Sequence, residues 1–235
     1  MIRRIKAALF LAVLWPAIGM ADTMMVRTSD GSVLKGDFLE KDAAFLSIRM
    51  TEGGDISLPL SEISAVNGQP PSVFFKRYRP SFPESLFGPF EIPGKDGKAG
   101  LEFKFLSAWN KAKLPNGYAF SGSEDDRRWE GFRMSVTMEC PAPGAAEATY
   151  ESVLKKVADG GTKILNESYE NIRGIRTLRT QETSRSGQSS LVLRQIRKAG
   201  EANCRVDIAL SHATPEKLGQ LMAVSLLEKT AASVR

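Results

Sequence analysis

Side chains suited to acid–base, nucleophilic or metal chemistry are scarce in this chain of 235 residues. His212 is its single imidazole, and Cys140 and Cys204 are its only thiols. A zinc or histidine-rich centre needs three or four ligands, so this inventory excludes such a site. A serine triad would have to use His212, yet no Gly-x-Ser-x-Gly elbow presents a nucleophile. We expect His212, which lies between a strand and a helix start, to serve in a loop or as a cap.

The sequence also gives little evidence for chemistry by carboxylates. Glu124, Asp125 and Asp126 could touch a divalent cation, but three neighbouring carboxylates in a turn are more typical of a solvated charge cluster. The chain has no Walker loop, no Gly-x-Gly-x-x-Gly at a helix start and no EF-hand loop. We therefore predict a non-enzymatic protein without catalytic, cofactor-binding or metal-binding residues. An enzyme with a carboxylate site that the sequence does not reveal stays as an alternative.

Basic residues, by contrast, are concentrated between Ile172 and Lys198, where Glu182 is the only acid. Guanidinium groups suit the oxygens of phosphates and carboxylates. If the strands that flank the turn at 184–190 pair, we expect several of these groups to gather on one solvent face and to contact an anionic partner. The alternative is a solvated face that is balanced by acids elsewhere. The candidate contacts in this stretch are Arg173, Arg176, Arg179, Arg194 and Arg197.

The first 21 residues have the pattern of a secretory signal peptide. Basic residues near the start precede an apolar run from Ala7 to Trp15, and Gly19 and Ala21 supply the small residues that a signal peptidase inspects. The run is short for a membrane span, so an uncleaved anchor is the weaker interpretation. No Cys follows the cleavage point, which disfavours lipid anchoring. We expect a periplasmic or secreted protein of a bacterial envelope.

Removal of this segment changes the charge argument. The formal net charge of the whole chain is +5, which would suggest nucleic acid as a partner. Three of the 32 basic residues and none of the 27 acidic ones lie in 1–21, so 29 basic residues face 27 acidic ones in the remainder. A net charge of about +2 no longer argues for nucleic acid.

The two cysteines are expected to form a disulfide, because an exported protein folds where disulfides persist. Cys140 ends the apolar face of an alternating stretch that begins at Phe132, and Cys204 shares an apolar face with Val206, Ile208 and Leu210. Neighbouring strands could bring both residues within bridging distance. Two buried free thiols are the alternative.

The sequence pattern of residues 22–67 predicts a small all-β module. Short alternating stretches are separated by turns at Asp30-Gly31, Glu40–Asp42 and Gly53-Gly54, which is typical of consecutive antiparallel hairpins. This segment, from Asp30-Gly31 through Gly36 to Pro59 and Ile63, resembles the small Sm-like or OB-like barrels of exported bacterial proteins. The resemblance implies a barrel-like interaction or packing unit.

Residues 68–100 are rich in Pro and Gly, which favours an irregular connecting segment. Six aromatic residues between 74 and 90 are too many for a solvated tether, so we expect this segment to lie over a domain. Part of it could instead contact an anionic partner, through Lys76, Arg77 and Arg79 between aromatic neighbours.

The remainder, 101–235, alternates between strand and helix patterns. Strands are predicted around 102–105, 118–121, 132–140, 163–170, 175–181, 191–196 and 203–211, with helices over 145–158 and from Thr214 to the end. We expect an α+β domain whose antiparallel sheet is packed by two helices on one face.

By element order, 101–235 resembles the PsbP-like fold. This resemblance implies an extrinsic or assembly protein of a membrane complex, mostly without enzymatic activity, and transfers no functional residue. We accordingly predict a binding or assembly protein whose partner is an envelope protein or membrane complex, with anionic lipid or a cell-wall polymer as further possibilities. The alternative is a binder of a small anionic or lipid ligand, anchored by Arg173, Arg176 and Arg179.

Overall fold

A computed structural model describes residues 23–42, 44–94, 100–122, 129–141, 148–199 and 202–235. The chain divides into two compact units, 1–81 and 82–235. The signal-peptide pattern in 1–21 and the carboxylates Glu124, Asp125 and Asp126 lie outside the described residues. Among the described residues, no helix has the length and hydrophobicity of a membrane span.

The first unit contains a five-stranded antiparallel sheet, as the turn pattern predicts. Its strands are β1 (Thr23–Thr28), β2 (Val33–Lys41), β3 (Phe45–Met50), β4 (Asp55–Pro59) and β5 (Ile63–Val66), in the order β4-β3-β2-β1-β5. Among the described residues no ladder joins β4 to β5, so the barrel-like expectation is corrected to an open sheet. The connection between these two strands is only a 3-10 helix over Leu60–Glu62, and each strand lies at its own edge.

A short helix, α1 (Pro71–Arg77), packs on this sheet. Pro71 occupies the first helical turn, where its missing N–H costs nothing, so a Pro-rich stretch starts a helix here instead of preventing one. Phe75 is buried, and the ring of Tyr78 meets that of Phe38 edge-on at 5.2 Å. The connecting segment 68–100 thus contains regular structure, including a strand described below.

The second unit is built on a seven-stranded antiparallel sheet. Its strands are β8 (Asn110–Leu114), β9 (Gly117–Ser121), β10 (Arg133–Glu139), β11 (Lys163–Ile172), β12 (Ile175–Thr183), β13 (Ser189–Ala199) and β14 (Ala202–His212), in the order β11-β12-β13-β14-β10-β9-β8. A separate ribbon pairs β6 (Phe87–Ile92) with β7 (Leu101–Leu106). The predicted α+β class is confirmed.

Two helices cover opposite faces of this sheet, not one face as expected. In α3 (Leu221–Ser233), Glu228 contacts Arg179, whereas Tyr150 at the start of α2 (Tyr150–Asp159) lies against Arg176. Arg176 and Arg179 are three residues apart on β12, and side chains with an odd separation project from opposite faces of a strand. We call the face of the sheet that α2 covers the α2 face, and the face that α3 covers the α3 face.

The C-terminal helix begins later than the Thr214-Pro215 signal predicts. Pro215 starts a 3-10 helix that ends at Gly219, and Gln220 is extended, with φ −62° and ψ 141°. Most residues of the following α3 are buried, so its position follows from packing against the sheet and β7 and not from the local start signal.

The disulfide between Cys140 and Cys204 is confirmed, with a Cα–Cα distance of 4.2 Å. Its position follows from register, because β10 and β14 pair Glu139 with Arg205. The next pair along this antiparallel ladder is Cys140 and Cys204, so the two side chains project from the same face of the sheet.

Candidate functional site

Six charged side chains form a continuous row on the α2 face, which we call the charge chain: Glu182, Arg194, Asp207, Arg205, Glu139 and Lys156. Strand pairing places Arg194 opposite Asp207, and Arg205 opposite Glu139. Cations and anions therefore alternate from β12 to β10, and the row ends at Lys156 of α2. Positive and negative charges are equal in number.

The contacts are strongest at the two ends of the charge chain. Arg194 donates two hydrogen bonds to the carboxylate of Glu182, at 2.5 and 3.1 Å, and one to the hydroxyl of Thr180 at 2.6 Å. Glu139 accepts from Lys156 at 2.5 Å and lies 2.6 Å from Nη2 of Arg205. Each of these carboxylates is thus paired with a cation.

Asp207, in the middle of the charge chain, is held less well. Its Oδ1 lies 3.2 Å from Nε of Arg205 and 3.6 Å from Nε of Arg194, but neither contact has hydrogen-bond geometry. Burial raises the pKa of Asp207, and the two arginines only partly oppose this effect. At Glu139 the balance is reversed, since the hydrogen bond from Lys156 lowers the pKa of the carboxyl group.

Two of the predicted contact residues lie on the α3 face. Arg179 contacts Glu228 at 3.0 Å and Glu170 at 3.6 Å. Arg197 donates to the backbone oxygen of Val234 and to Oε1 of Gln195, and burial lowers its pKa. Arg194 belongs to the charge chain, so the structure does not gather the predicted arginines on one solvent face. The physical reason is strand parity, since Arg176 and Arg179 project in opposite directions.

Arg173 and Arg176 remain exposed, at the end of the β11–β12 hairpin. Arg173 and Gly174 form its two-residue turn, both with positive φ (49° and 83°), and Ile172 pairs with Ile175 across it. The guanidinium carbon of Arg176 lies 4.3 Å from the ring centroid of Tyr169 and 5.7 Å from that of Tyr150. We call Tyr150, Tyr169, Arg173 and Arg176 the hairpin end. In the part of the chain that the structure describes, neither arginine has an acidic partner.

Tyr150 fixes the start of α2 against the sheet at this point. Its hydroxyl donates a hydrogen bond to the backbone oxygen of Arg176. The ladder between β12 and β13 ends at Thr177 and Gln195, so this hydroxyl satisfies a backbone group just beyond it. Burial raises the pKa of Tyr150. The two tyrosine rings meet nearly at right angles, and they hold the guanidinium of Arg176 while leaving it exposed to solvent.

The other basic candidates lie in the first unit. Lys76 and Arg77 are exposed in the last turn of α1, and Arg79 donates to the backbone oxygen of Tyr78. Lys76 and Arg77 are next to each other at the carboxyl end of a helix, where cations are electrostatically favoured without any partner.

His212 occupies a structural position, as expected for a cap. Its Nδ1 accepts a hydrogen bond from the backbone N–H of Thr214 at 2.8 Å, and its Nε2 lies 3.2 Å from the backbone oxygen of Glu130. Both ring nitrogens are used if Nε2 carries the proton, a tautomer that this pattern of partners assigns. The ring also packs on Phe132 at 4.6 Å.

The tyrosines of the hairpin end and the acidic partners of the other arginines were not predicted from the sequence. One signal was available. If Arg173-Gly174 is assigned as a two-residue turn, Tyr169 falls diagonally across the pair from Arg176, within reach of its side chain. The partners of Arg194 and Arg179 could not be found this way, because they depend on which strands are adjacent and on the position of α3.

No protein-family model matches the chain, and no curated protein matches its sequence. Among solved structures, the chain is similar to PsbP of the cyanobacterium Synechocystis, with 15% identity and a TM-score of 0.41 over 64% of this chain and 92% of that one. It is also similar to a protein of unknown function from Pseudomonas aeruginosa, with 11% identity and a TM-score of 0.26 over 75% of this chain and 87% of that one.

Proposed function

We propose that this chain is an exported, non-enzymatic protein that binds or assembles with an anionic component of a bacterial envelope through the hairpin end. The observation that carries the proposal is the state of Arg173 and Arg176. They are exposed and have no described acidic partner, whereas Arg179 and Arg194 are paired with carboxylates inside the unit.

The packing of Arg176 supports a role in binding. A guanidinium that is held against two rings loses less conformational freedom on binding than a free side chain does. Arginine and tyrosine are also the residue types that contribute most at protein interfaces. Export is supported by the signal-peptide pattern of 1–21 and by the disulfide, which belongs to oxidising compartments.

The competing proposal of a small-ligand site with Arg173, Arg176 and Arg179 as anchors is disfavoured by their placement. Arg179 projects from the α3 face towards Glu228 and Glu170, while Arg176 lies on the α2 face against Tyr169. The three guanidinium groups therefore do not converge on one ligand. A carboxylate-based enzyme is disfavoured by the cation contacts of Glu182, Asp207 and Glu139.

The proposal is tested by retention of partners from an envelope extract in mild detergent. The tagged chain is compared with R173E/R176E and with R27E/R133E, a control that makes the same charge change at two other exposed arginines. We expect the native chain and the control to retain the same partner, the hairpin variant to lose it, and retention to fall as salt increases. Equal retention by all three proteins, or retention of no partner by any of them, would contradict the proposal.

A further inference from the structure

The two edges of the seven-stranded sheet differ in length and in side chains. At one edge, β8 has five residues, and Lys111 and Lys113 are exposed on it. At the other, β11 has ten residues, with a bulge between Ile164 and Asn166 and regular pairing from Asn166 to Ile172, and its Leu165 and Tyr169 are 51% and 43% exposed. Short strands and lysines protect an edge from added strands, whereas a long edge with exposed apolar side chains can accept one. Among the described residues, β12 is the only strand paired with β11.

The turn determines which backbone groups of β11 point away from β12. In a hairpin with a two-residue turn, the flanking residues exchange both hydrogen bonds, so Ile172 bonds to Ile175 and alternate residues face outward. The same rule directs the carbonyl of Arg176 away from β11, and that carbonyl accepts from Tyr150 on the β13 side. The N–H and C=O groups of Glu167, Tyr169 and Asn171 are therefore available at the open edge.

The charged side chains on the α2 face of this edge change sign along the strand. Glu167, Tyr169 and Asn171 lie opposite Thr180, Leu178 and Arg176, so they project from the α2 face. The guanidinium of Arg176 leans across to Tyr169, and Arg173 follows in the turn. On the α2 face, the turn end of β11 is thus cationic, whereas Glu167 further along the strand is anionic.

We propose, on the basis of the function proposed above, that the open edge of β11 binds an extended segment of a partner polypeptide as an added strand. The segment has an acidic residue beside the turn end, where Arg173 and Arg176 lie, and a neutral or basic residue beside Glu167. Main-chain hydrogen bonds to Glu167, Tyr169 and Asn171 hold it, and Leu165 and Tyr169 supply apolar contacts. The partner is therefore a protein strand and not a lipid surface.

The experiment measures binding of labelled ten-residue peptides of alternating threonine and valine to the full chain by fluorescence anisotropy. One peptide carries two glutamates at its N-terminus, one carries them at its C-terminus, and one carries lysines at both ends. The variant Glu167→Pro removes one outward N–H, while Glu167→Ala removes the same side chain and keeps that N–H. Lys113→Pro makes the corresponding change at the opposite edge, where Leu114 pairs with Gly117 across another two-residue turn.

We expect one glutamate peptide to bind the native chain, Glu167→Ala and Lys113→Pro, and to bind Glu167→Pro about tenfold more weakly. In the native chain, the amides of Glu167, Tyr169 and Asn171 should gain protection from hydrogen exchange when the peptide is added, which tests the inference even if Glu167→Pro does not fold. Equal binding by the lysine peptide, equal binding by Glu167→Pro, or no protection in β11 would overturn it.

The outcomes for the two proposals are separable. Binding of phosphatidylglycerol vesicles without binding of any peptide overturns strand addition, while the proposed function stands if R173E/R176E also loses its envelope partner. Peptide binding with unchanged envelope retention by R173E/R176E supports the open edge and contradicts the proposed function.

Discussion

The charge chain and the hairpin end lie on the same face of the same sheet and use the same residue type in opposite ways. Arg194 is 4% exposed and is bonded to Glu182, so its charge is neutralised inside the unit. Arg176 lies over the ring of Tyr169. Its guanidinium N–H groups are exposed, and no described acidic residue is paired with them. The comparison shows that the neighbours of a guanidinium, and not its presence in a basic stretch, decide whether it stabilises the fold or is available to a partner.

The largest effect is expected from Arg194→Ala. Removing this cation leaves the buried carboxylate of Glu182 without its partner, at a cost of about 3–5 kcal/mol in the free energy of unfolding. Urea unfolding of the chain without residues 1–21, followed by tryptophan fluorescence, measures this cost in the second unit, because Trp109 and Trp129 both lie there and the third tryptophan, Trp15, is removed. Arg133→Ala, at an exposed arginine of β10, is the control and should change stability little. Similar losses in the two variants would show that the charge chain has no special structural role.

A smaller loss is expected from Tyr150→Phe. This change keeps the ring contacts with Tyr169 and Arg176 but leaves the backbone oxygen of Arg176 without the hydroxyl. A hydrogen bond of this kind contributes about 0.5–1.5 kcal/mol, so unfolding should begin at lower urea concentration. Hydrogen exchange in the first turn of α2 should increase at the same time. Unchanged exchange in α2 would contradict the role of this hydroxyl in holding the start of the helix.

The contribution of Asp207 should depend on pH. Because its pKa is raised in the folded protein, its contribution to stability is complete below the unfolded-state value of about 3.8 and is lost as pH rises through the higher folded value. The unfolding free energy of the native chain, compared with that of Asp207→Asn, should therefore decline from pH 3 to pH 7. Glu139 has the opposite sign, since its lowered pKa gives stability that is present at neutral pH and lost in acid. If the unfolding free energy of the native chain increased relative to that of Asp207→Asn as pH rises, this assignment would be contradicted.

The smallest effect on stability is expected from Arg176→Ala. An exposed cation over aromatic rings contributes about 0.5–1 kcal/mol, so the unfolding midpoint should shift only slightly. Arg176→Lys keeps the charge but lacks the planar group that stacks on Tyr169, so it should restore stability only in part. A loss as large as that of Arg194→Ala would show that the hairpin end is part of the structural core.

Much of the fold was predictable from alternation alone. Alternating apolar residues that begin at Phe132 defined the face of one strand, and Val206, Ile208 and Leu210 defined the face of another. The disulfide could be predicted because Cys140 and Cys204 lie on these two faces. The strand β8 was not predicted, because its sequence is mostly polar and its pairing with β9 depends on a tight turn. The faces covered by α2 and α3 were not predictable either, since they follow from the order of the strands.

For the candidate site, the sequence predicted which basic residues are concentrated in one stretch, but not how they are arranged in space. The basic stretch 172–198 contains the candidate arginines, but the structure divides them among the charge chain, the α3 face and the hairpin end. Parity along β12 and β13 separates them, and parity can be read from a sequence only when the turns are known. The helix α1 was not predictable for a related reason, since a Pro-rich composition disfavours helices in general, whereas Pro71 in the first turn is compatible with one.

Arg173 and Arg176 are exposed without a described acidic partner, whereas Arg194 is buried and bonded to Glu182. Modification of arginine by a dicarbonyl reagent, mapped by mass spectrometry on the folded chain with and without envelope extract, tests whether this difference decides which arginines meet a partner. We predict that Arg173 and Arg176 react in the free protein and are protected by the extract, and that Arg194 reacts in neither condition. Rapid modification of Arg194, or equal reaction of Arg173 and Arg176 with and without extract, would contradict the account.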